Sequence, residues 1–227
     1  MARDVIDGMQ RRGELTARQA VSIAIRLQGW SARPPLVGII GKTGVGKSRL
    51  CNALLGPRTH AAPIDHVTAC TRGTAEYWLP IGGCSDGLRL VDLPGVGESA
   101  AHDQDYLQLY RRLAPTFDAV IWVVKADDRA FSIEREALAA VRSVVPRIRT
   151  IVAINQVEKI EPMRRSTHGN PSNLQRANVR EKLEATRRVF GSAKQIVGVS
   201  AVERINLGEL LIAVVECLPM RPPIPGR

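Results

Sequence analysis

No C-x-x-C pair and no histidine at metal-ligand spacing occurs in the 227 residues, and the four cysteines, Cys51, Cys70, Cys84 and Cys217, are scattered. This excludes a zinc module and a disulfide scaffold and suits reduced thiols in a cytosol. No apolar stretch of signal-peptide length opens the chain, and the most apolar runs, Ala119–Val124 and Leu207–Leu218, are too short or too charged to span a bilayer. A soluble, cytoplasmic chain without a membrane span is expected. Low-complexity tracts and internal repeats are also missing. Acidic charge is scarce: 22 Asp and Glu face 32 Lys and Arg, a net charge of +10 that favours phosphate-rich or otherwise acidic partners. With 44% hydrophobic residues the chain can bury one sizeable core.

Residues Gly13–Trp30 space Leu15, Ala20, Ile23, Ile25 and Leu27 at a helical period, which predicts a helical lead-in over 1–33. A main domain over 34–218 and a proline-rich tail over 219–227 follow. The apolar runs Leu36–Ile40, Leu88–Val91, Ala119–Val124, Thr150–Ile154 and Gln195–Val199 read as buried parallel strands. Ser48–Leu55, Glu134–Val145, Asn173–Phe190 and Asn206–Leu218 read as the intervening helices, and right-handed crossovers place helices on both sheet faces. The fold expected is α/β, a doubly wound, mostly parallel sheet.

Between the first strand and the first crossover helix lies Gly41-Lys42-Thr43-Gly44-Val45-Gly46-Lys47-Ser48, which matches G-x-x-x-x-G-K-[ST] in the context that motif requires. Its glycines let backbone N–H groups curl around phosphate oxygens. The helix N-terminus adds the positive end of its dipole, Lys47 neutralises the β and γ phosphates, and Ser48 offers a hydroxyl to Mg²⁺. Asp92-Leu-Pro-Gly95 ends another strand, where a carboxylate can hold the ion through water and the Gly95 N–H can approach the γ-phosphate.

With these motifs the chain resembles the translation-factor-like class of P-loop GTPases, in particular the bacterial Era-like or prophage-borne YfjP/YeeP-like group. The resemblance covers about residues 36–218. It is carried by Gly41–Ser48 with Asn52, Cys70-Thr71-Arg72-Gly73-Thr74, Asp92–Glu98, Lys125–Ala130 and Val199-Ser200-Ala201, in the family's order. It implies a small G domain in which Thr71, with Thr68 as substitute, closes over Mg²⁺ and the γ-phosphate. Asn155-Gln156-Val157-Glu158 stands where the family reads guanine with Asn-Lys-x-Asp, and departs from it twice. Glu158 can accept the same pair of hydrogen bonds from one methylene further out, and Gln156 keeps an aliphatic stem without the charge; a non-selective purine rim is the alternative. Ser200-Ala201 resembles the last base loop, whose backbone N–H would bond the guanine O6. Val96 follows Gly95 where some relatives place a water-orienting Gln, and an apolar side chain cannot align water. Gly44 replaces the Asn that some relatives use to bind potassium.

The resemblance thus implies a catalytic set of Lys47, Thr71 and Gly95 and a metal set of Ser48, Thr71 and Asp92. It also implies a nucleotide-binding set running from Gly41 through Arg49 with Asn155, Gln156, Glu158, Ser200 and Ala201. The expected activity is a Mg²⁺-dependent GTP/GDP switch with slow hydrolysis stimulated by an activating protein or a second protomer, its nucleotide state ordering loops at 68–74 and 95–105. A nucleotide-gated binding module that barely hydrolyses, or a non-selective purine-nucleotide ATPase, are the alternatives. Asp127, Asp128 and Arg129 read as an internal salt bridge rather than paired catalytic carboxylates. Lys159–Lys194 holds nine basic residues against three acidic, a net +6, which reads as a solvated helix face or, as the sharper reading, as a contact for RNA or the ribosome as a partner.

Overall fold

Continuous apolar strands need cover on both faces, and the chain supplies it. A computed structural model of the protein describes residues 4–30, 33–56, 73–81, 87–128, 131–162 and 172–221. Thr68, Thr71, the 68–72 part of the expected first loop, Cys70, Cys84, Arg129, Arg164, Arg165 and the tail beyond Arg221 lie outside the described residues. Five parallel strands, β1 (Leu36–Gly41), β3 (Leu88–Asp92), β4 (Ala119–Lys125), β5 (Thr150–Asn155) and β6 (Gln195–Gly198), form one sheet with β2 (Ala75–Leu79), which pairs antiparallel to β3 at one edge. The order is β2-β3-β1-β4-β5-β6. Ile39, Ile121 and Ile151 stand side by side in register across β1, β4 and β5.

Because successive side chains on a strand point to opposite faces, each central strand feeds two cores. Val37, Ile39, Ile121, Val123, Ile151 and Ala153 point to one face, where helices α3 (Lys47–Leu55) and α7 (Leu207–Cys217) pack. Ile40, Val120, Trp122, Val124, Val152 and Ile154 point to the other, beneath α4 (Ala100–Leu113), α5 (Ser132–Val144) and α6 (Asn173–Val189). The sheet is doubly wound and mostly parallel with helices on both faces, and its strand and helix positions follow the apolar runs to within a residue or two.

Two elements escape the periodicity. The lead-in is two helices, α1 (Val5–Arg11) and α2 (Ala17–Gln28), broken at Gly13 and restarted by Thr16, which shares a capping box with Gln19. The loop expected over 95–105 ends at Ser99, whose hydroxyl caps α4 by accepting the His102 N–H, so residues 100–105 are already helical. The lead-in is not an appendage. Val5, Met9, Leu15, Ile23, Leu27 and Trp30 are buried in the same core as α3 and α7. Arg26 donates to the carbonyls of Val215 and Glu216 at 2.9 and 2.6 Å, closing the C-terminal end of α7. At the other end of α7, Gly208 passes so near the Glu14 carbonyl that a Cβ would sit 2.0 Å from its oxygen.

Candidate functional site

β1 runs out at Gly41 and α3 begins at Lys47, and the loop between them turns through Gly44 at φ 79° and Gly46 at φ 91°, both left-handed conformations that a side chain strains. Gly46 is also crowded, since a Cβ there would lie 2.6 Å from Asn155 Nδ2. As the N-cap of α3, Gly46 offers no side chain to the first-turn N–H groups, which leaves that end of the helix suited to an anion. Val45 plugs the core below. The Lys47 side chain lies along the loop with its ammonium 3.2 Å from the Gly41 carbonyl and 3.0 Å from that of Lys42. Burial pulls the Lys47 pKa down, against the opposing charges of Asp92 and Glu98.

The Ser48 hydroxyl donates to Asp92 Oδ2 at 2.5 Å. Asp92 Oδ1 is buried with no hydrogen-bond partner, and burial raises the Asp92 pKa while Ser48 and Lys47 hold it back. A hydroxyl and a carboxylate with one orphaned oxygen, beside a loop shaped for phosphates, is a donor set that fits a hard divalent cation held partly through water.

The segment after Asp92 lies on the phosphate loop. A Cβ on Gly95 would come within 2.5 Å of both Lys47 Nζ and Thr43 N, so only glycine fits there. Thr43 holds that segment twice over: its N–H donates to the Val96 carbonyl at 2.9 Å, and its hydroxyl lies 2.9 Å from the Gly95 carbonyl and 3.0 Å from Glu98 Oε1. The Val96 side chain is buried in the core beneath α4 and α5. Neither Thr43 as a latch nor Glu98 as its acceptor is visible in the sequence, because the pairing depends on two loops meeting.

Lys42 turns its side chain behind the loop, where its ammonium pairs with Asp128 at 2.9 Å and with the buried Glu134 at 3.0 Å. Burial lowers the Lys42 pKa, but the two carboxylates more than offset it, so it is raised. Burial also raises that of Glu134, opposed by Lys42. Asp127 pairs with Lys125 at 3.0 Å. The two neighbouring aspartates thus serve separate lysines, and no paired-carboxylate site forms.

On the far side of the cleft, Asn155 is buried and uses both ends of its amide: Nδ2 donates to the Val45 carbonyl at 2.9 Å and Oδ1 accepts the Ala201 N–H at 3.1 Å. It staples the phosphate loop to the Ser200 loop. Gln156, in a left-handed conformation at φ 67°, leans over the phosphate loop with Nε2 3.4 Å from the Val45 carbonyl. Its Oε1 accepts from Lys159 Nζ at 2.7 Å. Glu158 lines the cleft, with Oε2 buried and without a hydrogen-bond partner. Ser200 is fully buried and closes its own loop: its hydroxyl accepts the Glu203 N–H and its backbone pairs with Ile205. Its neighbour Val202, 60% exposed at the rim, and Lys159 are cleft residues that the motif reading passed over. Gly46, Lys47, Ser48, Arg49, Asp92, Gly95, Gln156, Glu158 and Ala201 meet around one cleft of about 790 Å³.

Residues 36–156, just over half of the chain, match the family described as 50S ribosome-binding GTPase. Two Escherichia coli K12 proteins, YkfA and YfjP, are 38% and 36% identical over 185 and 186 residues, in each case 82% of this chain and 62% of the relative. The chain therefore spans under two thirds of the length of these relatives. The crystal structure of Era in complex with MgGDPNP and nucleotides 1506–1542 of 16S ribosomal RNA superposes with a TM-score of 0.61 at 23% identity, covering 85% of this chain and 59% of that one, a likeness of fold. Phosphate loop, strand-end Asp-x-x-Gly, sheet order and family match converge, and the chain belongs to the family described as 50S ribosome-binding GTPase.

Proposed function

We propose that the cleft binds GTP and GDP with Mg²⁺ and works as a switch with slow hydrolysis, raised by an activating protein or a second protomer. The observation that carries this is Ser48 bonded to Asp92, whose second oxygen is orphaned, beside the buried Lys47 at the uncapped start of α3. Gly44, Gly46 and the α3 N-terminus wrap the phosphates, Lys47 exchanges its two loop carbonyls for phosphate oxygens, and Ser48 and Asp92, with Thr71, hold the ion. Bound there, Mg²⁺ supplies charge neutralisation of the β and γ phosphates. A γ-phosphate competes with the Thr43 contacts that hold Gly95 and Glu98, so its presence or loss repositions the 93–99 segment. Val96 cannot orient an attacking water from inside the core, which makes the rate of the isolated chain slow. The G domain spans 34–218, with helices α1 and α2 of the lead-in packed on it, and the chain works in the cytoplasm; among the described residues no helix is long and apolar enough to cross a membrane.

The test is equilibrium binding of labelled GTP, GDP and ATP, followed by turnover at rising protein concentration. GTP and GDP should bind in preference to ATP, with turnover well below the ~1–100 s⁻¹ of kinases. Binding without measurable hydrolysis under any condition would favour a nucleotide-gated binding module, and equal binding of ATP would favour a non-selective purine NTPase.

We also propose RNA, or the ribosome, as a partner through the basic 159–194 segment. Era's structure holds a 16S ribosomal RNA fragment. In this chain Arg187 and Arg188 close α6 at the end of the molecule opposite the cleft, where Arg142 closes α5 and contacts Ser192 and Lys194 joins β6 to the start of β5. Replacing Arg187 and Arg188 with Gln should reduce the salt slope of duplex RNA binding by about two, read from titrations between 50 and 200 mM salt. An unchanged slope would remove this segment from the interface.

A further inference from the structure

The loop that carries Ala201 and Val202 to the cleft is held from behind, by the lead-in. Ser200 and Ile205 exchange both backbone hydrogen bonds, at 3.2 and 3.1 Å, and so close a short turn over Ala201–Arg204. Arg204 sits in that turn at φ 56°, a left-handed conformation that strains a side-chain-bearing residue unless its surroundings hold it there. The surroundings are specific. Arg204 Nε and Nη2 donate to the two oxygens of Glu14 at 2.6 and 3.0 Å, a two-pronged guanidinium–carboxylate pair, and Nη1 donates to the Ala53 carbonyl in the last turn of α3 at 2.7 Å.

Glu14 has little freedom to do otherwise. Its side chain is 9% exposed, Arg12 donates to the same two carboxylate oxygens at 2.9 and 3.3 Å, and its own backbone carbonyl is pressed against Gly208. One guanidinium therefore joins three things: the loop beside the cleft, the C-terminal end of the helix whose N-terminus faces the phosphates, and the segment between α1 and α2.

We infer that Arg204 is a positioning residue for the base side of the cleft, and that Glu14 sets it, so that the Glu14 segment of the lead-in and recognition of guanine are coupled. This rests on the reading of the cleft as a guanine-nucleotide site. Arg204 does not line the cleft. It acts on Ala201, whose N–H meets Asn155, and on Val202 at the rim. Without Glu14 the turn keeps its left-handed residue but loses the pair that holds it. Ala201 and Val202 then shift relative to the base while the phosphate loop, anchored by β1 and α3, stays. By linkage, a nucleotide that orders the turn also tightens the lead-in.

The experiment measures dissociation of fluorescent GDP and ADP, with Mg²⁺ present, from the full chain and from Glu14→Gln, Arg204→Gly, the double variant and Arg26→Gln. Arg204→Gly removes the clamp at a residue type that tolerates the left-handed backbone, so it separates loss of positioning from strain. Arg26→Gln removes contacts between α2 and the far end of α7, away from Glu14, and controls for loss of packing that does not pass through the Glu14–Arg204 clamp. Expected are GDP release about 10-fold faster and a guanine-over-adenine preference about 10-fold lower in Glu14→Gln and in Arg204→Gly, with no further change in the double variant and wild-type behaviour in Arg26→Gln. GDP should also slow amide exchange over residues 5–28 in the wild type but not in Arg204→Gly. A wild-type preference that survives Glu14→Gln within twofold, additive single effects, or an equal change in Arg26→Gln overturns the coupling and leaves the guanine-site reading standing. A wild-type chain with no preference for GDP overturns both.

Discussion

Lys47→Met should lower affinity for GTP by about 100-fold, roughly 3 kcal/mol, because a charge-assisted contact to the phosphates is replaced by an apolar stem in a site otherwise built for anions. Methionine fills the same channel along the loop, so the loss reports on charge rather than packing. The ammonium rests on the Gly41 and Lys42 carbonyls at 3.2 and 3.0 Å, neutral acceptors that phosphate oxygens outcompete. The pH dependence has a definite sign. Burial lowers the Lys47 pKa in the free chain, and bound phosphates raise it, so nucleotide binding takes up a proton wherever Lys47 is neutral. Affinity is therefore full below the free-chain pKa and falls as pH rises through it. Isothermal titration of GTP across that range checks it. Unchanged affinity in Lys47→Met would remove the phosphate loop from the binding site.

Glu158→Ala should cost roughly 1–3 kcal/mol in GTP binding and leave ATP binding nearly unchanged, since the guanine N1 and N2 donors lose their acceptor and adenine never used it. Glu158 lines the cleft, and its Oε2 is buried without a hydrogen-bond partner, so that carboxylate oxygen is not committed to another residue. Glu158→Asp combined with Gln156→Lys restores the family's carboxylate reach and charged stem and should sharpen the GTP-over-ATP ratio. Because Lys159 donates to Gln156 Oε1 at 2.7 Å, Gln156→Lys sets two ammonium groups together, and adding Lys159→Gln should sharpen the ratio further. Competition of GTP against ATP across the three variants reads this. Ratios that stay at the wild-type value in all three would mean that residues 155–158 do not read the base.

Much of this protein is legible without coordinates, for local reasons. β4 and β5 are unbroken apolar runs because helices cover both faces, and a parallel strand buried on both sides needs nothing else. Gly41–Ser48 is legible because its chemistry is confined to eight consecutive residues whose spacing the phosphate geometry dictates. α4 is less so: it follows directly on the Asp92–Glu98 loop, and its polar first turn, Ala100–Asp103, lacks the apolar rhythm that marks the others, with Leu107 and Leu109 the first buried positions.

What the sequence alone determined is what neighbours in the chain determine: the α/β alternation, the phosphate loop, the strand-end Asp92 and the order of the motifs that marks the GTPase family. What only the tertiary structure decided is how residues far apart share their polar groups. Asn155 serves as a staple between Val45 and Ala201, 110 and 46 residues away. Lys42 turns from the phosphates to Asp128 and Glu134, and Glu14 of the lead-in holds Arg204 across 190 residues of sequence. The physical reason is burial. A polar group taken out of water must find a partner wherever the packing leaves one, and that partner is set by which elements meet, a matter on which local pattern is silent.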